Sequence, residues 1–209
     1  MTDNTKFVAP TYSKIAQIYT EKYFSDQSDL PFINKFLSYL PQEANVLDIG
    51  YGPGNFTEYI SNKGFDVEGI DLTEEMIKIA QQKVPNCKFQ VMDMRHLTYG
   101  DHSFEALLSA YSLIHIPSEE ILSTLKGFYR ILKSGGVLGI ITQAGEPDQL
   151  VDEPLKKGER IFINFFTPER LSNFLKESGL EIIYQKEFPT QDPDSLSSKV
   201  IYTIAKKTD

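Results

Sequence analysis

The sequence predicts an α/β fold, a doubly wound and mostly parallel sheet of seven strands with helices on both faces. Between residues 44 and 142, short apolar runs of strand length alternate with patterns of helical periodicity. The first apolar run ends in a glycine turn, Gly50-Tyr51-Gly52-Pro53-Gly54, which a helical pattern follows at once. The last two strand patterns have no helix between them, so they must pair antiparallel as a C-terminal hairpin.

The composition is that of a globular protein of one domain, because 41% of the 209 residues are hydrophobic and 24% are charged. A net charge of −8 argues against a nucleic-acid partner, since phosphate backbones are bound through clustered Lys and Arg. The single Cys87 excludes an intrachain disulfide, and three scattered histidines disfavour a metal site. No apolar run reaches membrane-spanning length, and the N-terminus lacks a signal-peptide pattern. We therefore expect a cytoplasmic monomer or homodimer without a membrane partner that acts on a small molecule.

Residues 1–43 precede the first predicted core strand and are expected to form a helical cap. From residue 12 to residue 23, apolar and aromatic side chains recur at helical spacing, at Tyr12, Ile15, Ala16, Tyr19 and Tyr23. A second short helix is predicted over 31–40, where Pro41 follows it. Both helices are expected to pack on an edge of the sheet.

The predicted first strand, 46–49, carries the carboxylate of Asp48 just before the glycine turn. Glycines at 50, 52 and 54 let the backbone approach a ligand closely, and Pro53 suits the first turn of a helix over 55–63. A dinucleotide fingerprint places its third glycine three positions after the second, whereas here the distance is two. Asp48 would repel a diphosphate and attract a positive centre, such as the sulfonium and ammonium groups of S-adenosylmethionine. Alternatively, Asp48 bonds the backbone of its own turn.

A second strand is predicted over 65–70, and Asp71 stands at its end, 21 residues after Gly50. At this distance a βαβ unit delivers an acidic side chain to a ribose, and one carboxylate can accept from both ribose hydroxyls. The alternative role of Asp71 is a helix cap. Thr73 is predicted to fill that role for the next helix, over 74–84.

These motifs resemble the class I S-adenosylmethionine-dependent methyltransferase family, of the small-molecule type, from about Tyr12 to the C-terminus. The resemblance implies a Rossmann-like fold and S-adenosyl-L-methionine as cofactor, with Gly50 and Gly52 in its cradle. It also implies that Leu72 packs on the adenine face. The N-terminal segment would lie over the cofactor, where Tyr19 or Tyr12 contacts its methionine part.

A third strand is predicted over 87–92, followed by Asp93 and Met94. The resemblance makes the Asp93 carboxylate the acceptor for the adenine amino group and the Met94 N–H a donor to the ring. From the sequence alone, Asp93 is as compatible with capping the next helix. A fourth, continuously apolar strand is predicted over 104–110, and its end, residues 109–117 beginning with Ser109, should face the transferable methyl group.

His115 follows the fourth strand and is the one histidine placed near the expected reaction centre. Its imidazole could take a proton from an oxygen or nitrogen nucleophile. The alternative is a histidine that packs under the next helix or bonds a backbone carbonyl. The chain lacks the Asn/Asp-Pro-Pro-Tyr/Phe and Pro-Cys elements that mark nucleic-acid and glutamine methylation within the family, which disfavours those acceptors.

The chain after His115 supplies one more parallel strand and a long insertion. Ser118 is predicted to cap a helix that ends in a left-handed cap at Gly135-Gly136, before a fifth strand over 137–142. Residues 143–166 are too long for an ordinary connection, so they predict a lid or substrate-side insertion, with a mobile loop as the alternative. Aromatic residues at its end are expected to line an apolar pocket: Phe162, Phe165 and Phe166.

Residues 167–209 are predicted to form a C-terminal helix and hairpin. Thr167-Pro168 is a helix start, and strands over 180–188 and 199–206 follow. The chain thus divides into a helical cap (1–43), a cofactor-binding core (44–142), an insertion (143–166) and this C-terminal unit.

The function we predict is methyl transfer from S-adenosylmethionine to a small-molecule acceptor. The sulfonium is already activated, so the protein mainly supplies alignment and water exclusion. The alternative from another class is a protein that binds S-adenosylmethionine or S-adenosylhomocysteine without transferase activity, as a sensor or partner subunit. A nicotinamide-dependent oxidoreductase is opposed by Asp48, the glycine spacing and the terminal hairpin.

Overall fold

The computed structural model describes residues 4–190 and 192–208, and nine strands lie within them. Their bounds are β1 Asn45–Ile49, β2 Asp66–Asp71, β3 Lys88–Val91, β4 Phe104–Ala110, β5 Leu132–Gln143, β6 Gln149–Asp152, β7 Arg160–Ile163, β8 Leu180–Pro189 and β9 Lys199–Lys207. Seven of them form one sheet in the order β3-β2-β1-β4-β5-β9-β8. Strands β1 to β5 pair parallel, and β9 pairs antiparallel with β5 and β8. This confirms the predicted sheet and its C-terminal hairpin.

Six α-helices lie in the same described ranges, and they connect the strands as the periodicity predicts. Their bounds are α1 Val8–Tyr23, α2 Leu30–Leu37, α3 Asn55–Asn62, α4 Glu74–Lys83, α5 Ser118–Ile131 and α6 Pro168–Glu177. Two 3-10 helices cover Asn4–Phe7 and Leu113–His115. Thr167 caps α6 as predicted, because its hydroxyl accepts the Arg170 N–H.

Apolar side chains cover both faces of the sheet because successive strand residues point to opposite sides. On one face, Leu47 belongs to a buried cluster with Phe128 of α5 and Leu171 of α6. On the other, Val46 belongs to a cluster with Phe36 of α2. Strands that are buried on both faces consist of continuous apolar runs, and for this reason β1 and β4 could be predicted from the sequence.

Three local predictions about helix ends are wrong, and a fourth is right in position only. Helix α3 begins at Asn55 as predicted, but its N-cap is Gly54 with φ 89°, so Pro53 lies before the helix and not in its first turn. Thr73 occupies the N-cap position of α4 but makes no side-chain capping bond there. Ser118 is the first residue of α5 rather than its cap. The glycines do not cap α5 either, because the chain enters β5 directly and Gly135, with φ +72°, lies inside that strand.

The insertion 143–166 is ordered around a second, two-stranded antiparallel sheet formed by β6 and β7. The sequence missed these strands because they are short and partly polar. The aromatic residues at its end do not line the candidate cavity described below: Phe162, Phe165 and Phe166 are buried, the last two in the cluster under α5 and α6. Their predicted place in an acceptor pocket is therefore corrected to a packing role.

Over the ranges that the structure describes, no helix combines the length and the apolar character that crossing a bilayer requires.

Candidate active site

A cavity opens at the carboxyl ends of β1, β2, β3 and β4. In a sheet of this order the chain leaves β1 and β4 in opposite directions, which creates a crevice between them. The cavity has a volume of about 810 Å³, including the space at its opening to solvent. Helix α1 forms one wall through Val8, Tyr12 and Tyr19. Most of the predicted site residues also line the cavity: Gly50, Gly52, Asp71, Leu72, Asp93, Met94, Tyr19 and His115.

The three glycines of the turn share positive φ values but serve different contacts. A Cβ added to Gly50 would lie 2.3 Å from Ser112 Cβ, so this glycine allows the turn to pack on the chain after β4. A Cβ on Gly54 would lie 3.3 Å from Val84, at the packing of the turn against α4. At Gly52 the first atom met is Tyr19 Cε1 at 3.9 Å. Gly52 is therefore the glycine that leaves open space beside the backbone in the cavity.

Asp71 links the glycine turn to the start of α4. Its Oδ2 accepts the Gly52 N–H at 3.0 Å, and its Oδ1 accepts the Thr73 N–H at 2.8 Å. Burial raises the pKa of this carboxyl, while these backbone bonds oppose the rise. Asp71 lines the cavity, and each of its carboxylate oxygens can accept more than one hydrogen bond.

Two predicted site residues, Asp48 and Ser109, lie behind the cavity wall. Asp48 is 1% exposed, and its Oδ2 accepts the Thr57 hydroxyl at 2.7 Å, so it faces α3. Burial raises its pKa to about 7. Ser109 is fully buried, and its hydroxyl lies 2.7 Å from that of Ser112. The predicted direct contacts of these two residues with a ligand are corrected to support of the turn and of Ser112.

Ser112 lines the cavity and belongs to the segment 109–117 that was expected to face the methyl group, but it was not singled out as a site residue. Its hydroxyl donates to the Ile49 carbonyl at 2.5 Å, which leaves Ser109 as the donor in the bond between the two serines. The relevant signal, a serine two residues after a central strand, is too common to have been assigned from sequence.

The ends of β2 and β3 present an apolar surface beside a carboxylate. Leu72 is 44% exposed and Met94 lies across the same cavity. The Asp93 carboxylate is bound by Arg95, whose Nε lies 3.0 Å from both oxygens and whose Nη2 lies 2.7 Å from Oδ2. Burial raises the pKa of Asp93, but the bonds from Arg95 outweigh it and lower the pKa below its ordinary value. Arg95 was not predicted as a site residue.

His115 is held between two elements that the sequence keeps far apart. Its Nδ1 lies 2.9 Å from the Phe162 carbonyl oxygen of β7, and its Nε2 lies 2.9 Å from the Tyr12 hydroxyl of α1. A carbonyl only accepts, so Nδ1 carries the proton and Nε2 accepts from Tyr12. Burial lowers the pKa of His115 to about 4, which keeps the ring neutral.

The Tyr12 ring makes edge contacts that close this corner of the cavity. Its centroid lies 5.3 Å from that of His115 and 5.6 Å from that of Tyr19. Burial raises the pKa of Tyr12 well above its ordinary value, and Tyr19, Glu153 and Asp71 raise it further. The hydroxyl of Tyr12 is thus protonated and is available as a donor to His115 and as an acceptor toward the cavity.

Tyr111 is the remaining aromatic lining residue, and its backbone is unusual. It has φ 55°, a conformation that side-chain-bearing residues rarely adopt, and its hydroxyl donates to Asp29 Oδ1 at 3.2 Å. Asp29 immediately precedes α2, so this bond ties the helical cap to the end of β4.

Comparison with known proteins finds similarity to methyltransferases. The family described as "Methyltransferase domain" matches residues 46–136, which contain the glycine turn, Asp71 and Asp93. The chain is 38% identical over 104 residues to the putative methyltransferase YqeM of Bacillus subtilis, covering 47% of this chain and 42% of that protein. It is 31% identical over 193 residues to phosphoethanolamine N-methyltransferase 1 of Zea mays, covering 88% of this chain and 38% of that protein. The chain thus spans less than half the length of either relative.

Solved structures share the fold at low identity. A SAM-dependent methyltransferase of Methanosarcina mazei superposes with a TM-score of 0.77 at 22% identity, over 85% of this chain and 97% of that one. The 1,6-didemethyltoxoflavin-N1-methyltransferase of Burkholderia thailandensis, solved with its acceptor and S-adenosylhomocysteine, gives a TM-score of 0.75 at 21% identity, over 100% and 92% of the two chains. At these identities the likeness concerns the fold alone.

Proposed function

Because this chain belongs to the class I S-adenosylmethionine-dependent methyltransferase family, we propose that it transfers the methyl group of S-adenosyl-L-methionine to a small-molecule acceptor. The observation that carries this proposal is the meeting of Gly52, Asp71, Leu72 and Asp93 at one cavity. When bound, the cofactor supplies a methyl group on a sulfonium, a centre that needs no further activation. The chain's own residues then have to bind and orient the cofactor and the acceptor and to exclude water from them.

The residues present fit the parts of this cofactor. Gly52 leaves room beside the backbone, and the remaining lone pairs of Asp71 suit two ribose hydroxyls. The exposed apolar side chain of Leu72 suits an adenine face. Asp93 can accept from an adenine amino group, and the Met94 N–H can donate to the ring.

Tyr12 and His115 supply a place for the proton that a nucleophile loses. The acceptor's proton passes to the Tyr12 oxygen while the Tyr12 hydroxyl proton passes to His115 Nε2, so no charge is left on the phenol; because the pKa of His115 is about 4, the ring holds this proton only until it is released to water. The Nδ1–H bond to Phe162 holds the ring in the tautomer that this transfer needs. His115 thus acts through Tyr12, rather than by direct contact with the acceptor.

The charges around the cavity favour an uncharged acceptor. Among the lining residues that the structure describes, Arg95 is the single Lys or Arg, and Asp93 and Glu120 already bind its guanidinium. A carboxylate or phosphate on the acceptor would therefore lose its hydration without gaining a cation. The name of the maize relative specifies phosphoethanolamine, and for this reason we do not extend that acceptor to this chain.

We place this activity in the cytoplasm, in a monomer or homodimer without a nucleic-acid or membrane partner. The net charge of −8 supports the exclusion of nucleic acid, and the single cysteine is compatible with a reducing compartment. The insertion 143–166 and helix α1 together are proposed to cover the cavity.

Titration calorimetry with S-adenosylhomocysteine, and transfer of labelled methyl from the cofactor to a small-molecule extract, test the proposal. Asp71→Ala is expected to weaken binding by about 1.5–3 kcal/mol, the worth of hydrogen bonds to a charged group. Because Asp71 also bonds Gly52 and Thr73, unfolding of each variant is measured separately, with Asp71→Asn as the isosteric control. Unchanged affinity in Asp71→Ala would refute the ribose assignment.

A further inference from the structure

The Asp93 carboxylate is engaged by one neighbouring residue through three separate N–H groups. The Arg95 backbone N–H donates to Oδ1 at 2.9 Å, Nε–H lies 3.0 Å from both oxygens, and Nη2–H donates to Oδ2 at 2.7 Å. An ionised carboxylate offers about four lone-pair sites. Because the Nε–H is shared between the two oxygens, three N–H groups make four contacts, two on each oxygen, and hold the Asp93 carboxylate, which lines the cavity, in one orientation.

Arg95 is itself fixed from a second element. Its Nη1 donates to Glu120 Oε2 of α5 at 3.0 Å, so the guanidinium bridges the end of β3 and the first turn of α5. The Arg95 and Asp93 side chains are only 24% and 21% exposed, which limits competition from water. A planar guanidinium held at both ends is a rigid partner, in contrast to a lone surface ion pair.

We propose that Arg95, braced by Glu120, is a positioning residue that fixes the Asp93 carboxylate in the orientation in which it accepts from the amino group of a bound adenine. This inference rests on the proposed function, since it assumes that the cavity takes an adenosyl group. It adds a role for two residues that lie outside the glycine turn and outside the acceptor side of the cavity.

The expected consequence is selectivity for the base. An adenine amino group donates to the Asp93 carboxylate. Hypoxanthine has a carbonyl at the same position, and because a carbonyl and a carboxylate both only accept, no hydrogen bond would form between them. Arg95 fixes the orientation of the carboxylate and keeps Asp93 ionised, so that Asp93 can only accept. Without Arg95 the carboxyl can rotate and can take a proton, and a protonated carboxyl donates to a carbonyl as readily as it accepts from an amine.

The test compares the dissociation constants of S-adenosylhomocysteine and S-inosylhomocysteine by calorimetry. In the unaltered protein the adenosyl compound should bind at least about 100-fold more tightly, as expected when a site's buried polar group is left facing an unsuitable partner. Arg95→Met should reduce that ratio about tenfold and weaken binding of S-adenosylhomocysteine. Glu120→Gln keeps the shape of the brace without its charge and should give a smaller change in the same direction.

Lys199→Met is the matched control, because it removes another Lys or Arg ion pair, to Glu187, on the strands at the far edge of the sheet. Its ratio should equal that of the unaltered protein, and thermal unfolding checks that every variant is folded. Arg95→Lys is the second variant if Arg95→Met does not fold. An unchanged ratio in the Arg95 variants overturns the inference, and so does tighter binding of S-adenosylhomocysteine, which would make Arg95 a competitor for Asp93. Failure of the unaltered protein to bind either compound would refute the proposed function instead.

Discussion

The hydroxyl of Tyr12 donates to Nε2 of His115 across 2.9 Å, although 103 positions separate the two residues in the chain. The bond joins helix α1 to the 3-10 helix that follows β4. It occupies the nitrogen lone pair that a general base would need for direct contact with an acceptor. The pair therefore changes the hypothesis about His115 from a base that touches the acceptor to one that works through a tyrosine.

Removal of either member of this pair should slow methyl transfer. Tyr12→Phe keeps the ring contacts and removes the hydroxyl, so turnover is expected to fall about 10²–10⁴-fold while affinity for S-adenosylhomocysteine stays within a few-fold. His115→Gln should give a similar loss, and the double variant should lose little more, because both residues serve one proton path. Steady-state rates with labelled cofactor measure this. Near-normal turnover in Tyr12→Phe would assign the pair to packing.

The neutral state of His115 also predicts an acid-dependent loss of stability. Its pKa is lowered from 6.5 to about 4 by burial, so the unfolded chain binds the proton first as the pH falls between these values. The contribution of His115 to the free energy of unfolding is therefore expected to rise with pH over this window and to level off above it. Urea unfolding from pH 4 to 7 measures how the free energy of unfolding changes with pH, and His115→Gln should remove this rising contribution. A slope that His115→Gln leaves intact would belong to other groups.

Asp48 predicts the opposite pH dependence. Its pKa is raised from 3.8 to about 7 by burial, so the folded state holds the proton over this window while the unfolded chain has lost it. Its contribution to stability is present at low pH and decreases as the pH rises through the window. Asp48→Asn retains an acceptor for the Thr57 hydroxyl and should raise the free energy of unfolding near pH 7. A less stable Asp48→Asn protein at that pH would show that the ionised carboxylate is needed.

The glycine turn offers a comparison between two positions with similar backbone strain. Gly52 has φ 57° and Gly54 has φ 89°, so alanine destabilises the fold at both sites by about 1 kcal/mol or more. Only the Cβ at position 52 would enter the open space of the cavity. Gly52→Ala is therefore expected to weaken S-adenosylhomocysteine binding about tenfold or more, and Gly54→Ala should leave the affinity of the folded fraction nearly unchanged. Equal losses in calorimetry would mean that strain, and not space, governs binding.

The sheet was predictable because its signals are local. A buried parallel strand reads as an apolar run, and the glycine turn and Asp71 follow two such runs at fixed distances. Helix ends were less predictable because caps depend on contacts made elsewhere. Thr73 stays unused as a cap, and Ser118 instead accepts from the distant Arg170.

The site residues that could not be predicted from the sequence are those whose role depends on side-chain contacts with other parts of the chain. Nothing in the sequence distinguishes Arg95 from other arginines, and its role follows only from its ion pairs with Asp93 and Glu120. Asp48 looked like a ligand-facing carboxylate, but strand direction turns it toward Thr57 of α3. The alternation of polar and apolar residues shows which way a strand side chain points only when one face of the strand is polar. Strand β1 is buried on both faces, so its sequence did not show the direction of Asp48.

The last prediction concerns how the cavity is covered. Helix α1 contacts the β6–β7 insertion through polar bonds: the Thr11 hydroxyl donates to the Arg160 carbonyl at 2.8 Å, and Lys14 pairs with Glu159 at 2.7 Å. At its other end, Lys22 pairs with Asp192 at 3.0 Å in the chain between β8 and β9. The two ion pairs are partly exposed and each contributes about 1 kcal/mol or less, whereas the Thr11 side chain is buried.

Binding of S-adenosylhomocysteine should therefore slow amide exchange in residues 8–24 and 143–166 as well as around Gly50, Asp71 and Asp93. The reason is that a ligand in this cavity would contact Tyr19 and Tyr12, which line it from α1, and would favour the closed arrangement. Hydrogen exchange with mass spectrometry measures this, and Lys14→Met should increase exchange in the ligand-free protein at both segments, because it removes the bond to Glu159. Lys199→Met, at the far edge of the sheet, is the control. If protection appears only around the glycine turn and the two aspartates, the cover is rigid or absent from the mechanism, and an acceptor larger than a small molecule would again fit the site.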